Sequence, residues 1–389
     1  MDKGRIYGLD IIRAFAIIEV VLSHGKHYLL GHVNDDIYSF FLIDTVTVFF
    51  VLSGFLIGGI LIKTINTTDF GWDDLKTFWI RRWFRTVPNY FLILSFLAAY
   101  QIFKMNNHPK GIWQYFTFTQ NITILKPDVF AFYPEGWSLS IEEWFYFFIP
   151  LSFFFSFILL RKLNRRIIIV GTIAACIISV TTFRIIRAYK YGYVDLEFWN
   201  FNYRTPILMR LDSLMYGLLG AYILYYHKTI WGKYKTFNFL TGIFILFILR
   251  LFINIDYVLY LRLTLEPIAT LLILPKMYSI ISGSGVIYKC TVFISKISYS
   301  MYLVNFTLMF KIIMPGLFNR LSFNYTDGAT SAYITYALYW VIIIIISYLL
   351  YRFFEIPMMN LRDRFSKRKP TIPIHSSPLP VADTSEKNQ

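Results

Sequence analysis

The stretch Gly8-Leu9-Asp10-Ile11-Ile12-Arg13-Ala14-Phe15-Ala16-Ile17-Ile18-Glu19-Val20-Val21-Leu22-Ser23-His24 decides the fold. It is apolar enough to enter a bilayer, yet it holds Arg13 and His24 with ten residues between them. Eleven positions along an α-helix make almost three turns, about 16 Å of rise, so both side chains project from one face. Asp10, one turn before Arg13, joins that face, and Glu19 lies on another. Charge inside a membrane span costs roughly 2.5–3.5 kcal/mol per residue on insertion scales, so such residues mark a reaction or transport path. The bland alternative is an arginine and a histidine snorkelling to opposite interfaces. The rest of the chain weighs against it.

Of 389 residues, 56% are hydrophobic and 20% aromatic, and long apolar runs recur from end to end. That composition predicts an all-α, polytopic integral membrane protein. Strand alternation of the barrel kind is absent. The first segment lacks a small-residue cleavage site and is expected to be a retained span. The net charge of +15 sits mainly in short loops, which reads as topology signal and anion contacts rather than nucleic-acid binding. Two cysteines, Cys176 and Cys290, suggest neither a disulfide framework nor a metal site.

About ten spans are expected, near 9–25, 37–62, 83–103, 138–160, 167–186, 206–226, 236–253, 258–279, 297–316 and 330–353. An even number puts both termini on one side. The loops sharing that side carry Lys63, Lys76, Arg81, Arg82, Arg85, Arg161, Lys162, Arg165, Arg166, Lys228, Lys233 and Lys235, and the tail adds Arg362, Arg364, Lys367, Arg368 and Lys369. Positive-inside bias then makes both termini cytoplasmic. The chain divides into a transmembrane domain over 1–360 and a basic, disordered cytoplasmic tail over 361–389. Opposite-side loops at about 104–136 and 187–205 are long enough to be functional. No internal repeat is visible, which counts against common transporter architectures.

Several constellations could carry chemistry. His24 can take a proton from a hydroxyl near neutral pH or carry an acyl group transiently. Arg13, permanently charged, suits a phosphate or carboxylate, or an ion pair with Asp10. Ser53-Gly54 beside Gly58-Gly59 permits close helix packing, and Ser53 as a substrate contact is the weaker reading. Arg81, Arg82 and Arg85, next to Trp83 and before Pro88, either anchor the cytoplasmic interface or grip a phosphorylated donor. In Trp137-Ser138-Leu139-Ser140-Ile141-Glu142-Glu143-Trp144-Phe145-Tyr146, Ser138 and Glu142 share a helix face. Ser138 could instead cap that helix. One of the two acidic residues could polarise His24 from the same membrane depth. Arg210 and Asp212 are read as an intramembrane ion pair, structural or substrate-binding. Ser298-Tyr299-Ser300-Met301-Tyr302-Leu303 and Phe354-Glu355-Ile356-Pro357 read as packing and end signals.

The order of these motifs resembles the membrane-bound acyltransferase family 3, which O-acylates cell-surface polysaccharides. The resemblance runs from about residue 5 to 360. It rests on Arg13/His24, Phe50-Val51-Leu52-Ser53-Gly54-Phe55-Leu56, Arg81/Arg82/Arg85 with Pro88, and Trp137 to Glu143. Weaker matches come from Arg210/Asp212, Ile297-Ser298-Tyr299-Ser300 and Glu355-Pro357. It implies transfer of an acyl group, usually acetyl, from cytoplasmic acyl-CoA to a hydroxyl of an outside sugar: an O-antigen (lipopolysaccharide), an exopolysaccharide or a lipid-linked precursor.

His24 would be catalytic base or acyl carrier, with Glu142 and Asp10 assisting. Arg13, Arg81, Arg82 and Arg85 would bind the donor, with Ser53, Trp137, Ser138, Tyr146, Arg210, Asp212 and Tyr299 as further donor or substrate contacts. No cofactor is expected to be bound; acetyl-CoA is a co-substrate. The expected partners are the bilayer, the acyl-CoA and the glycan, with no nucleic acid, in a bacterial inner membrane. One departure is Asn305, where relatives often have His, so no catalytic role is carried to it. Some relatives also append an extracytoplasmic esterase-like domain that completes transfer, so this chain is expected to finish the transfer itself or to use a separate partner. Rival functions are a flippase for lipid-linked sugar, and an acyltransferase using succinyl-CoA or a small-molecule acceptor.

Overall fold

The computed structural model describes residues 5–34, 44–124, 126–192, 195–252, 256–321 and 328–365. It is 83% helical, with no strand among the described residues. Ten longer helices carry the fold: α1 (Tyr7–Gly25), α2 (Thr45–Thr67), α3 (Trp72–Phe103), α4 (Gly136–Leu159), α5 (Arg165–Tyr191), α6 (Leu211–Tyr226), α7 (Lys235–Leu251), α8 (Asp256–Tyr278), α9 (Gly285–Val304) and α10 (Ala329–Leu350). Each expected span overlaps one of them, but the ninth, 297–316, runs past the end of α9 through a bend into the short helix Met314–Leu321. Residues 37–43 of the second expected span, and the tail from Lys367, lie outside the described residues.

Among the described residues, five helices are long and apolar enough to cross a bilayer: α2, α3, α4, α5 and the continuous helix Ala329–Arg362. Gly285–Val304 with Met309–Arg320, bent by 57°, makes a sixth if the pair is one span. Three of the other four fall short for plain physical reasons. Helices α6 and α7 have 16 and 17 residues, below the roughly 20 that a hydrocarbon core of about 30 Å requires. Helix α1 is interrupted by Asp10, Arg13 and Glu19.

The centre is built on α1, α2, α6 and α9. Helix α1 packs on α9, α2 and α8, while α2 lies along α6. Helix α3 packs on α4 and on the C-terminal helix Ile356–Phe365, so the first residues of the expected tail are ordered. There Arg362 is buried and Phe365 stacks on Phe84 at 5.4 Å. Proline helps to place the α3–α4 contact. Pro150 has no N–H to give the carbonyl of Tyr146, one turn earlier. Trp79 Nε1 on α3 donates to that oxygen at 3.0 Å instead. The pairing holds Tyr146 in position beside α3.

The expected loop over 104–136 is packed and partly helical, with short helices Ile112–Phe116 and Pro127–Phe130. Its buried side chains Gln120 and Asn121 donate to the carbonyls of Gly136 and Trp137, at 3.1 and 2.9 Å. The loop therefore ties down the start of α4.

Candidate active site

Helices α1 and α9 run in the same direction and touch at two levels. At the first, Ser295 Oγ donates to Asp10 Oδ1 at 2.6 Å and lies 3.4 Å from Arg13 Nη1. Ten residues on along α9, Asn305 Oδ1 is hydrogen-bonded to His24 Nδ1. Arg13 and His24 therefore do share the face of α1 that meets α9, as eleven-residue helical spacing requires.

The Arg13 level holds more charge than expected. Arg5 grips Asp10 with two hydrogen bonds, Nε to Oδ2 at 2.9 Å and Nη2 to Oδ1 at 2.5 Å. Arg13 stands further off, 3.7 Å from Asp10. With Asp10 saturated by Arg5 and Ser295, Arg13 keeps hydrogen-bonding capacity for something else. It faces a cleft between the helices.

That cleft collects most of the residues marked in the sequence. Arg13, Ser53, Arg82 and Arg85 line it, together with Ser138, Glu142, Tyr146 and Tyr299. Ser53 Oγ donates to Glu142 Oε1 at 3.0 Å, and Tyr146 OH donates to Oε2 at 2.9 Å. The Arg82 guanidinium lies over the Tyr146 ring at 5.0 Å. No hydrogen bond or ion pair to Arg85 occurs among the described residues. Three guanidiniums near enough to repel one another, with Glu142 the cleft's own carboxylate, make a site suited to a multiply charged anion. Ser138 does not cap its helix: its Oγ is bonded to Tyr302 OH at 2.6 Å. Tyr299 OH donates to the carbonyl of Thr86 at 2.6 Å, joining α9 to α3.

Other expected residues sit elsewhere. Arg81 does not line the cleft. Trp137 is buried, with the Arg204 guanidinium 4.8 Å over its ring and Phe50 edge-on at 6.0 Å. Arg210 and Asp212 do not form the expected pair. Asp212 is gripped by Arg184 of α5, at 2.9 and 2.5 Å. Arg210 donates to Thr47 Oγ1 at 2.6 Å and lies over the Phe50 ring. Residues two apart at a helix start diverge rather than meet.

Asp10 and Glu142 are not the groups that hold His24. Asp10 is fourteen positions down α1 from the histidine, about 21 Å of rise. Glu142 is taken up by Ser53 and Tyr146. The partner is Asn305, passed over in the sequence because relatives carry a different residue there. Arg5 was also unmarked, because it precedes the apolar run. A further ion pair, Arg204 with Asp44 at 3.0 Å, joins residues 160 apart and has no local signature. Beneath the bend after α9, Glu135 accepts from the Thr307 N–H at 2.9 Å and from its Oγ1 at 2.5 Å. Burial raises the Glu135 carboxyl to about 7.

A "Putative O-acetyltransferase" of Staphylococcus aureus strain COL is 29% identical over 386 residues, covering 90% of this chain and 57% of its own length. The O-acetyltransferase OatA of S. aureus strain NCTC 8325 is 33% identical over 189 residues, 44% of this chain and 28% of its own. A "Putative acetyltransferase" of Acidianus two-tailed virus is 26% identical over 230 residues, 59% of this chain and 64% of its own. The chain thus spans little more than half the length of the first of these relatives. No solved structure matches it. The model of the acyltransferase-domain family matches residues 6–352, nearly the whole described helical body, and this chain belongs to that family.

Proposed function

We propose that the chain is a membrane O-acyltransferase. It moves an acetyl group from cytoplasmic acetyl-CoA to a sugar hydroxyl of a cell-surface polysaccharide or its lipid-linked precursor. The observation that carries this reading is the convergence of Arg13, Arg82 and Arg85 on one cleft, against the same helix pair that holds His24. The family and the names of the relatives support the reaction class.

The donor's phosphates lie against the three guanidiniums, each charge-assisted contact contributing about 1.5–3 kcal/mol. Its pantetheine arm then runs along α1 toward His24, past Ser138 and Tyr302. His24 accepts the proton of the sugar hydroxyl as the oxygen attacks the thioester carbonyl. The carbon–sulfur bond breaks, and the departing thiolate takes that proton from the imidazolium. In the variant route, the acyl group rests on His24 before the sugar oxygen takes it. The loop charges support ten crossings with both termini in the cytoplasm, in a bacterial inner membrane. The arginine cleft then opens to the donor's side and His24 faces the acceptor's.

The test uses membranes holding equal amounts of the wild type and His24→Ala. Radiolabelled acetyl-CoA is supplied, and label is followed into extracted glycan and into the protein. Label in glycan that vanishes with His24→Ala supports the proposal. Consumption of no acyl-CoA by the wild type, or glycan labelling that survives the substitution, overturns it.

A further inference from the structure

Helix α9 stops at Val304, and the chain bends by 57° before continuing from Met309. Asn305 occupies the corner, fully buried. The last carbonyls of a helix have no partner in the helix itself, and the Asn305 amide supplies one. Its Nδ2 donates to the carbonyls of Met301 and Tyr302, at 2.9 and 2.8 Å. Tyr339 OH of α10 donates to the Asn305 carbonyl at 2.9 Å, so the corner is also gripped from outside.

These anchors settle which amide atom faces His24. Turning the amide over would press its oxygen against two carbonyl oxygens, leaving buried groups unsatisfied at about 1–3 kcal/mol each. The oxygen therefore faces the ring. An amide oxygen can only accept, so the proton of that hydrogen bond sits on His24 Nδ1. The lone pair is left on Nε2. The other tautomer would set a lone pair against a lone pair. Phe306, the next residue, packs its ring 4.4 Å from the imidazole at a 39° tilt, which restricts ring rotation.

We infer that Asn305 is a positioning residue for the proposed acyl transfer, holding His24 as the Nδ1–H tautomer so that Nε2 takes the proton of the acceptor hydroxyl. The inference rests on reading His24 as the base. It gives one residue two tasks with one cause: the helix end that needs an amide donor also aims the amide oxygen. Asn305 does not line the donor cleft, although its neighbour in that hydrogen-bond set, Tyr302, does. Its loss should therefore act on turnover and not on donor binding.

A matched pair of variants separates positioning from packing. Asn305→Leu and Asn305→Asp both lose the amide N–H anchors, but only the aspartate keeps an acceptor for Nδ1–H. Turnover is compared with donor KM in membranes, alongside His24→Ala and each variant's thermal midpoint. Asn305→Leu should lower kcat by about 100-fold or more, as wrong-tautomer histidines do, with donor KM unchanged. Asn305→Asp should retain at least about tenfold more turnover than the leucine variant. If the leucine variant fails to accumulate, Asn305→Ala carries the same expectation. Equal losses in the aspartate and leucine variants, turnover at the wild-type level in Asn305→Leu, or a donor KM rising in step with the loss overturns the inference. If His24→Ala is inactive while Asn305→Leu is active, only this inference fails. If His24→Ala itself stays active, the reading of His24 fails with it.

Discussion

Gly54 of α2 and Gly217 of α6 form a reciprocal contact. A methyl group on Gly54 would stand 1.9 Å from the carbonyl oxygen of Leu214, and one on Gly217 would stand 2.0 Å from that of Val51. Each glycine meets the backbone three residues before the other, so the two helices touch main chain to main chain. This contact sets the depth of Ser53, the residue whose hydroxyl donates a hydrogen bond to Glu142 in the cleft.

Gly54→Ala and Gly217→Ala should therefore each force the helices apart. Overpacking of this kind costs about 1–3 kcal/mol and more where backbone is the obstacle. Thermal midpoints of the detergent-solubilised protein should fall for both. Gly171→Ala, on the open side of α5 with nothing near its Cβ position, should be neutral or slightly stabilising. A midpoint in Gly54→Ala matching that of Gly171→Ala would refute the close contact.

Arg85 offers the cleanest probe of donor binding, because no protein group takes up its guanidinium among the described residues. Arg85→Ala should raise the KM for acetyl-CoA by about tenfold or more, equivalent to about 1.4 kcal/mol, with little loss of stability. Arg85→Lys should recover part of the effect, since a lysine keeps the charge but not the bidentate fork. An unchanged donor KM in steady-state kinetics would remove Arg85 from the donor site.

Asp10 should behave as the support of Arg13. Asp10→Asn leaves Arg5 buried without its counter-charge, and breaking such a pair typically costs about 3–5 kcal/mol. The expected outcome is a lower thermal midpoint and a raised donor KM, with kcat of the surviving folded enzyme close to the wild type. A selective loss of kcat would instead place Asp10 in the proton chemistry, despite its distance along α1 from His24.

Glu135 predicts a pH dependence of stability. Its folded-state pKa of about 7, raised by burial, lies above the ordinary value of 4.5. Below pH 4.5 the folded and unfolded states are protonated alike, and this contribution is complete. As pH rises from 4.5 through 7, the unfolded chain ionises first and the stability is lost. Thermal midpoints taken between pH 5 and 8 should fall with pH, less steeply in Glu135→Gln. Parallel slopes in the two proteins would show that the carboxyl does not titrate in this window. Glu135 accepts both hydrogen bonds from Thr307, two residues past Asn305, so the titrating carboxyl borders the corner beside His24.

The sequence by itself determined what depends on spacing within one helix. Apolar run length marked ten helices, and helical periodicity put Arg13 with His24, and Ser138 with Glu142, on shared faces. The order of motifs identified the family. These are local properties, carried by residues three, four or eleven positions apart. Only the tertiary structure decided which charges pair. Asp212 takes Arg184 rather than Arg210, Asp10 takes Arg5, and His24 takes Asn305 across 281 positions. Partners in a hydrogen bond are chosen by distance in space, and a buried polar group takes whichever partner the packing brings to it. The bend that delivers Asn305 to His24 forms where α9 stops against α10 and Glu135, and no run of neighbouring residues encodes that meeting.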